Sequence, residues 1–265
     1  MVSNKIIVVL LQSLSYDVAV SEMNYMNSLV KSNSAQFLKV SSKDTSLFNP
    51  IYENMVENKN LYVNAMLNHQ VIRRPDKKNI FELAKQDGLK TGAAAYYWAS
   101  EIYSDNTQKN KQEKEEDVSI QYSNYYSRQS YPDHNVFTDS EFIRKKYNPN
   151  LLLVHSMGIE YAMNKFGVES EEYKKKIVEL DSTLELIVPM WLEAGYNIIV
   201  TTEHGKTAKE NEKPDGEKIL PLWAMGKSFS KSDLGNRISK IGIAGTIYEV
   251  LSIKKPERFI NCNVN

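Results

Sequence analysis

The stretch Asn197-Ile198-Ile199-Val200-Thr201-Thr202-Glu203-His204-Gly205 decides the interpretation of this chain. Its apolar, β-branched residues are typical of a buried strand, and the strand ends in a carboxylate, an imidazole and a glycine. In an open α/β sheet, ligands bind at the carboxyl ends of the strands, so Glu203 and His204 are candidate site residues. A carboxylate beside an imidazole offers two of the ligand types that divalent metals prefer. The chain has only four histidines, however, so nitrogen ligands are scarce.

The composition of the 265 residues indicates a single domain over residues 1–265 and disfavours several classes of protein. The 33 basic and 33 acidic residues balance, so no global field favours nucleic acid or a membrane surface. The single cysteine, Cys262, excludes an internal disulfide and a zinc site built from several thiolates. The apolar run Ile6–Leu11 is too short for a signal-peptide core or a membrane span. We therefore expect a cytoplasmic protein without nucleic-acid or membrane partners.

Short apolar runs alternate with segments of helical periodicity along most of the chain. The helical pattern is clearest from Ser170 to Glu193, where Pro189 predicts a kink or an early end. A second helical pattern covers Tyr16 to Lys31, and a third covers Asn79 to Gln86. Strands are predicted at Lys5–Leu11, Thr91–Tyr97, Leu151–Val154, Asn197–Thr202 and Leu222–Met225. This alternation predicts an α/β fold in which helices flank a central, mostly parallel sheet.

Residues 104–135 interrupt the alternation and are predicted to form a small polar, tyrosine-rich cap or loop insertion. Residues 105–117 have the composition of a solvated loop. The tyrosines that follow, at 122, 125, 126 and 131, are interpreted as a lid whose rings pack on the body of the protein. Tyrosine interleaved with charge also occurs where rings stack on nucleobases, but the lid is the favoured interpretation. A protein partner that binds through the cap is a further hypothesis.

Four segments at the ends of predicted strands carry candidate chemistry: Gln12–Asp17, Ser46–Glu53, His155–Gly167 and Glu203–Gly205. Three further segments accompany them in a fixed order along the chain: Ala93–Trp98, Tyr131–Phe137 and Leu220–Gly226. In this order the segments resemble the alkaline phosphatase superfamily, most closely its bacterial branch of small type I phosphodiesterases and nucleotide pyrophosphatases. The resemblance spans nearly the whole chain and implies an alkaline-phosphatase-like fold.

The resemblance also implies a reaction. In that family two divalent metals, usually zinc, lie at the strand ends, and a metal-bound serine or threonine hydroxyl attacks phosphorus. One metal is held by two aspartates, the histidine of an Asp-His-Gly segment and the nucleophile. The other metal is held by an aspartate and two histidines. Each of these positions except that of the last histidine falls on an identified residue of this chain.

Most of the implied ligand positions carry a different residue here. The first aspartate falls on Gln12, whose neutral amide is a weak metal ligand, and the nucleophile falls on Phe48, which has no oxygen. The third-segment aspartate and histidine fall on Glu160 and Asn164. Glu203 replaces the aspartate of Asp-His-Gly, His204 is kept, and no histidine follows it in the chain. An added methylene moves a carboxylate by about 1 Å, whereas catalytic geometry tolerates about 0.5 Å.

These departures favour a catalytically degenerate member of the family that needs no cofactor. Such a protein would bind a small phosphate-containing or nucleotide-type ligand, with Asn68, Asn164, His204 and helix N-termini as hydrogen-bond donors. The resemblance supplies the role of Asn68. The alternative is an active phosphoester hydrolase in which Glu160, Glu203 and His204 hold one zinc or other divalent metal and water is the nucleophile. Under the first hypothesis His204 is a hydrogen-bonding residue, and under the second it is a metal ligand.

Overall fold

A computed structural model of the protein describes residues 4–41, 79–103, 119–205, 219–229, 243 and 245–254. Seven strands form one sheet: β1 (Ile6–Ser13), β2 (Ala35–Ser41), β3 (Thr91–Tyr96), β4 (Tyr122–Tyr126), β5 (Leu151–Ser156), β6 (Asn197–Gly205) and β7 (Ile219–Met225). Their order across the sheet is β2-β7-β6-β1-β5-β3-β4. The predicted central α/β sheet is confirmed.

Strand β1 lies in the middle of the sheet, and all eight of its residues are buried. It runs parallel to β5 on one side and to β6 on the other, so that Val8 faces both Leu153 and Ile199. Both faces of such a strand are covered, which explains its unbroken apolar sequence. Strand β7 is antiparallel to β6 and to β2, whereas the pairs on the other side of β1 are parallel.

Helices cover both faces of the sheet. They are α1 (Tyr16–Glu22), α2 (Asn24–Lys31), α3 (Ile80–Gln86), α4 (Trp98–Tyr103), α5 (Asp133–Tyr147), α6 (Gly158–Phe166) and α7 (Glu171–Glu193), and residues 245–251 are also helical. One core cluster joins Ile6, Val8 and Leu10 of β1 to α3 and to residues 245–251. The other joins Ile7, Val9 and Leu11 to α1, α2, α5, α6 and α7. None of the helices in the described ranges combines the length and hydropathy needed to cross a membrane.

Two helical predictions need correction. The segment Tyr16–Lys31 forms two helices instead of one, because the backbone of Met23 leaves the helical region (ψ 72°) while its side chain is fully buried. Helix α7 does not end early at Pro189 but continues to Glu193. Buried residues on both sides of the proline, Leu184, Val188 and Trp191, hold that part of the helix on the core and offset the lost backbone hydrogen bond.

The predicted cap is also corrected in part. Residues 104–118 lie outside the described residues, whereas Tyr122–Tyr126 form β4, which pairs in parallel with β3 at the edge of the sheet. Tyrosine favours a strand when its ring packs against neighbours. Here the ring of Tyr122 stacks on Tyr147 with the centroids 4.1 Å apart. Tyr122, Tyr125 and Tyr126 therefore extend the sheet instead of forming a lid, whereas the rings of Tyr122, Tyr126 and Tyr131 pack on the core as expected.

A buried aspartate on α7 caps the start of α2. The residue preceding α2, Met23, provides no side-chain cap. Instead Asp181 Oδ2 accepts from the backbone N–H of Tyr25 at 2.6 Å, and its Oδ1 accepts from that of Met26 at 3.1 Å. Burial raises the pKa of this carboxyl, and the two backbone N–H groups act to lower it. Asp181 thus fastens α7 to α2 at the helix end where a negative charge is favourable.

Replacing Asp181 by alanine should destabilise the protein. The change leaves two backbone N–H groups near α7 without their acceptor, and we expect a loss of about 1–3 kcal/mol in the free energy of unfolding. Urea denaturation monitored by circular dichroism measures this loss. Asp181→Asn should lose less, since one acceptor oxygen remains. The exposed Glu185→Ala on the same helix is the control, and an equal loss in that variant would refute the capping role.

Tyr196 ties the start of β6 to the turn before β5. Its hydroxyl donates to the carbonyl oxygen of Pro149 at 2.8 Å and lies 3.3 Å from Asn148 Oδ1. Burial raises the pKa of Tyr196 from 10.0 to about 12, with nearby Arg144 acting to lower it and Glu141 acting to raise it. The unfolded chain therefore ionises this tyrosine at lower pH than the folded protein does. The stability that the neutral phenol contributes is complete below pH 10 and is lost as pH rises towards 12.

We expect Tyr196→Phe to reduce the loss of stability between pH 10 and pH 12. The difference from the unmodified protein should reach about 2–3 kcal/mol, because each pKa unit corresponds to about 1.36 kcal/mol. At neutral pH the variant should be less stable by about 1 kcal/mol, since its hydrogen bonds are gone. Urea unfolding across this pH range tests both statements. The same pH profile in both proteins would contradict the first, and Tyr161→Phe is the control.

Candidate functional site

Three of the four chemistry-bearing segments meet at one edge of the sheet. The carboxyl ends of β6, β1 and β5 are neighbours, with Leu11 facing Ser156 on one side and Thr202 on the other. The register between β1 and β6 shifts after Leu11, so that Ser13 faces Gly205 and Gln12 lies at an irregularity. Backbone irregularities of this kind redirect side chains at sheet edges. The strand-end site predicted from the sequence is therefore assembled by the central three strands.

Gln12 and His155 form a buried pair at this edge. The two side chains come from β1 and β5, and their residues are 1% and 3% exposed. The amide nitrogen Nε2 of Gln12 lies 3.0 Å from the ring nitrogen Nε2 of His155. Which of the two nitrogens donates depends on the tautomer of His155. The Gln12 amide itself brings no charge to the centre of the site.

Ser13 and Glu160 lie beside that pair. Ser13 ends β1 with a left-handed backbone (φ 62°), and its carbonyl oxygen accepts from the Tyr173 hydroxyl at 2.7 Å. The Ser13 hydroxyl donates to Glu160 Oε2, in the first turn of α6, at 3.4 Å. A backbone with positive φ suits glycine better than serine. A serine here accepts backbone strain and gains a contact with Glu160.

Asp133 forms a second buried cluster at the end of β5. Its Oδ1 accepts from the Ser156 hydroxyl in a short hydrogen bond and from the Gly158 backbone N–H at 3.1 Å. The Lys176 ammonium lies 4.0 Å from Oδ2. Burial raises the pKa of the Asp133 carboxyl, while the Ser156 hydroxyl, the Lys176 ammonium and the Gly158 N–H act to lower it. The predicted segment Tyr131–Phe137 also contains His134, but His134 is exposed and Asp133 makes the contacts.

Tyrosine rings from β3 and β4 border the site. The Tyr126 hydroxyl donates to the backbone oxygen of His155 at 2.6 Å. Its ring stacks on Tyr131 at 4.9 Å and meets Tyr96 edge-on at 5.5 Å. Burial raises the pKa of Tyr126, and the nearby Asp133 carboxylate raises it further. The phenol therefore stays protonated and keeps donating to the strand that carries His155.

The structure describes some of the remaining candidate residues fully, some only by their backbone, and others not at all. Asn164 is exposed on α6, one helical turn after Glu160 and so on the same side of the helix. The backbone of Glu203 and His204 belongs to β6, next to the end of β1, but their side chains lie outside the described residues. Phe48 and Asn68 also lie outside them. Gln12, Glu160, Glu203 and His204 are thus on adjoining elements, and Asn164 is at their rim.

The profile of the type I phosphodiesterase / nucleotide pyrophosphatase family matches residues 25–225, which is most of the chain. The chain belongs to this family. No functionally curated protein matches its sequence. Membership agrees with the resemblance inferred from the strand-end segments and with the α/β fold.

Solved structures of the same superfamily share the fold. The C-terminal periplasmic domain of EcEptC from Escherichia coli is 12% identical, with a TM-score of 0.58, and the alignment covers 94% of this chain and 82% of that one. Murine ectonucleotide pyrophosphatase/phosphodiesterase 5, an inactive variant in complex with AMP, is 16% identical with a TM-score of 0.55 over 76% and 57% of the two chains. Alkaline phosphatase from the Antarctic bacterium TAB5 is 9% identical, with a TM-score of 0.55 over 96% and 99%. At these identities the likeness concerns the fold alone.

The described residues of this family member do not fit a two-metal centre. Where the resemblance implies an aspartate ligand on β1, the Gln12 amide nitrogen contacts His155 instead. Glu160 is within hydrogen-bonding distance of Ser13. Across the described parts of the chain, no three His, Cys, Asp or Glu side chains are grouped to hold a metal ion. We therefore derive no catalytic step through metals from these residues.

Gly158→Ala should destabilise the protein through the Asp133 carboxylate. A Cβ atom at position 158 would lie 2.1 Å from Asp133 Oδ2 and 2.4 Å from Oδ1, too close for any side chain. Because Asp133 is held by Ser156 and the backbone, we expect a loss of about 1–3 kcal/mol in thermal or urea unfolding. The double variant Asp133→Ala/Gly158→Ala is the control, since it removes the clash. Strictly additive losses would show that the carboxylate is not the obstacle.

Proposed function

We propose that this chain is a catalytically degenerate phosphodiesterase-family protein that binds a small phosphate-containing ligand at the carboxyl edge of β1, β5 and β6 without hydrolysing it. The direct hydrogen bond between Gln12 and His155 is the observation that carries the proposal. It lies at the end of the central strand, where the family chemistry requires an anionic metal ligand. A neutral amide at this position brings none of the negative charge that would compensate a dication.

The resemblance supports the same conclusion at the nucleophile. It places the attacking hydroxyl at Phe48, and a phenyl ring cannot form a phosphorylated intermediate. Loss of a nucleophile lowers catalysis by many orders of magnitude even when the rest of a site is intact. Binding does not require the nucleophile, so the pocket is free to keep a ligand after the reaction has been lost. A phosphate-type ligand is supported by family membership and by the AMP complex of the murine relative.

Fewer hydrogen-bond donors are available to such a ligand than the sequence suggested. Helix N-termini were among the expected donors, but the Gly158 N–H at the start of α6 already donates to Asp133. The proposed donors are therefore side chains: His204, Asn164 and Asn68. Hydrogen bonds to a charged phosphate are each worth about 1.5–3 kcal/mol, so losing one donor should be measurable.

A single-metal hydrolase is the second candidate. Ser13 contacts Glu160 and faces Gly205 in the sheet, so the backbone brings Glu203 and His204 to the same strand end as Glu160. Under this alternative Glu160, Glu203 and His204 would hold one divalent metal. Metal content and turnover separate it from the binding hypothesis.

The decisive experiment measures turnover and binding on the same preparation. We expect the protein to show no hydrolysis of bis(p-nitrophenyl) phosphate or a dinucleotide with zinc or manganese, and to bind AMP or inorganic phosphate in calorimetry. His204→Ala should weaken binding about tenfold or more, the equivalent of one lost charged hydrogen bond. The exposed His134→Ala is the matched control and should bind as the unmodified protein does.

Three outcomes would contradict the proposal. Hydrolysis that His204→Ala abolishes and His134→Ala preserves would establish an enzyme. Stoichiometric metal in the purified protein, lost in Glu160→Gln, would favour the single-metal alternative. An absence of AMP and phosphate binding would remove the ligand from the proposal.

A further inference from the structure

Asp133 is a buried charged side chain that contacts several elements of the fold. It begins α5, yet its carboxylate reaches the turn between β5 and α6, where it accepts from Ser156 and Gly158. Lys176 of α7 lies on its other side. One side chain thus connects four elements: α5, β5, α6 and α7.

We propose that Asp133 is a positioning residue that fixes His155 and Glu160 relative to each other. Ser156 directly follows His155 on β5, and Gly158 lies two residues before Glu160 on α6. Both are bonded to the same carboxylate oxygen, so the turn through Met157 is held at its two ends. The proposal rests on the proposed function only in taking the β1–β5–β6 edge as the ligand site.

The packing shows that the Asp133 side chain fills the space beside Gly158. Position 158 has no space for a Cβ atom because both oxygens of Asp133 fill it. The residue is 6% exposed, and the nearest cation, Lys176, is 4.0 Å from Oδ2. A buried carboxylate with one cation at that distance is costly compared with an apolar residue, so the contacts at the turn are what it provides. Burial raises the pKa of the group, in agreement with this cost.

His155, which precedes this turn on β5, is also held by hydrogen bonds. Tyr126 donates to the backbone oxygen of His155, and the His155 ring nitrogen lies 3.0 Å from the Gln12 amide nitrogen. Movement of the β5–α6 turn would therefore change the environment of the His155 ring. The resonances of the His155 ring therefore report such a movement. A lower free energy of unfolding does not by itself change these resonances in molecules that remain folded.

The experiment compares Asp133→Ala, Asp133→Asn and the control Asp139→Asn. Asp139 is an acid on the same helix, and it accepts from Tyr131 at 3.3 Å. The readouts are the ¹⁵N resonances of the His155 ring, the side-chain amide resonances of Gln12, and AMP affinity, all at temperatures where each variant is folded. Formate is then added to Asp133→Ala, because a small carboxylate can enter the space left beside Ser156, Gly158 and Lys176.

We expect Asp133→Ala to shift the His155 and Gln12 resonances and to weaken AMP binding at least tenfold, and formate to reverse both effects in part. Asp133→Asn should show a smaller shift, since one acceptor oxygen remains, and Asp139→Asn should show none. Unchanged His155 resonances in folded Asp133→Ala would overturn the proposal.

The readouts also separate this proposal from the proposed function. If Asp133→Ala does not fold, the resonances of Ser156→Ala, which removes one of the two hydrogen bonds, decide in its place, and wild-type resonances there would overturn the proposal. If the unmodified protein binds no AMP, the ligand hypothesis fails while the resonances still test the positioning role.

Discussion

The complete burial of β1 between two parallel neighbours is the constraint on which the rest of the structure depends. Its alternate residues enter the two core clusters, and its backbone is paired on both sides. A strand placed in this way brings the ends of β5 and β6 to its own carboxyl end. The candidate site is therefore a consequence of strand order, and its position follows from the same burial that stabilises the sheet.

The described part of the site is organised by hydrogen bonds between protein groups. Gln12 pairs with His155, Ser13 with Glu160, and Asp133 with both Ser156 and Gly158. A centre built for dications would direct its carboxylates and imidazoles towards the ions. Here the groups named above contact one another instead.

Family membership and local chemistry answer different questions about this protein. The match over residues 25–225 and the fold shared with the solved structures account for the sheet. They do not account for a glutamine on β1 or a phenylalanine at the implied nucleophile. A fold supports many chemistries, and the residues at its strand ends decide between them. In this chain Gln12 and Phe48 differ from the residues that the resemblance implies.

The sequence by itself determined the α/β class, most of the strands, the long helix after Ser170 and the edge of the sheet that carries the site. These features follow from local patterns: unbroken apolar runs, helical periodicity and capping residues. The tertiary structure alone decided that the tyrosine-rich segment at 122–126 is a strand, because its polar sequence is stabilised only by pairing with β3. It also decided the contacts of Asp181 with Tyr25, 156 residues away, and of Gln12 with His155, 143 residues away. Such contacts leave no periodic trace in a sequence, since they depend on which strands and helices become neighbours when the core is buried.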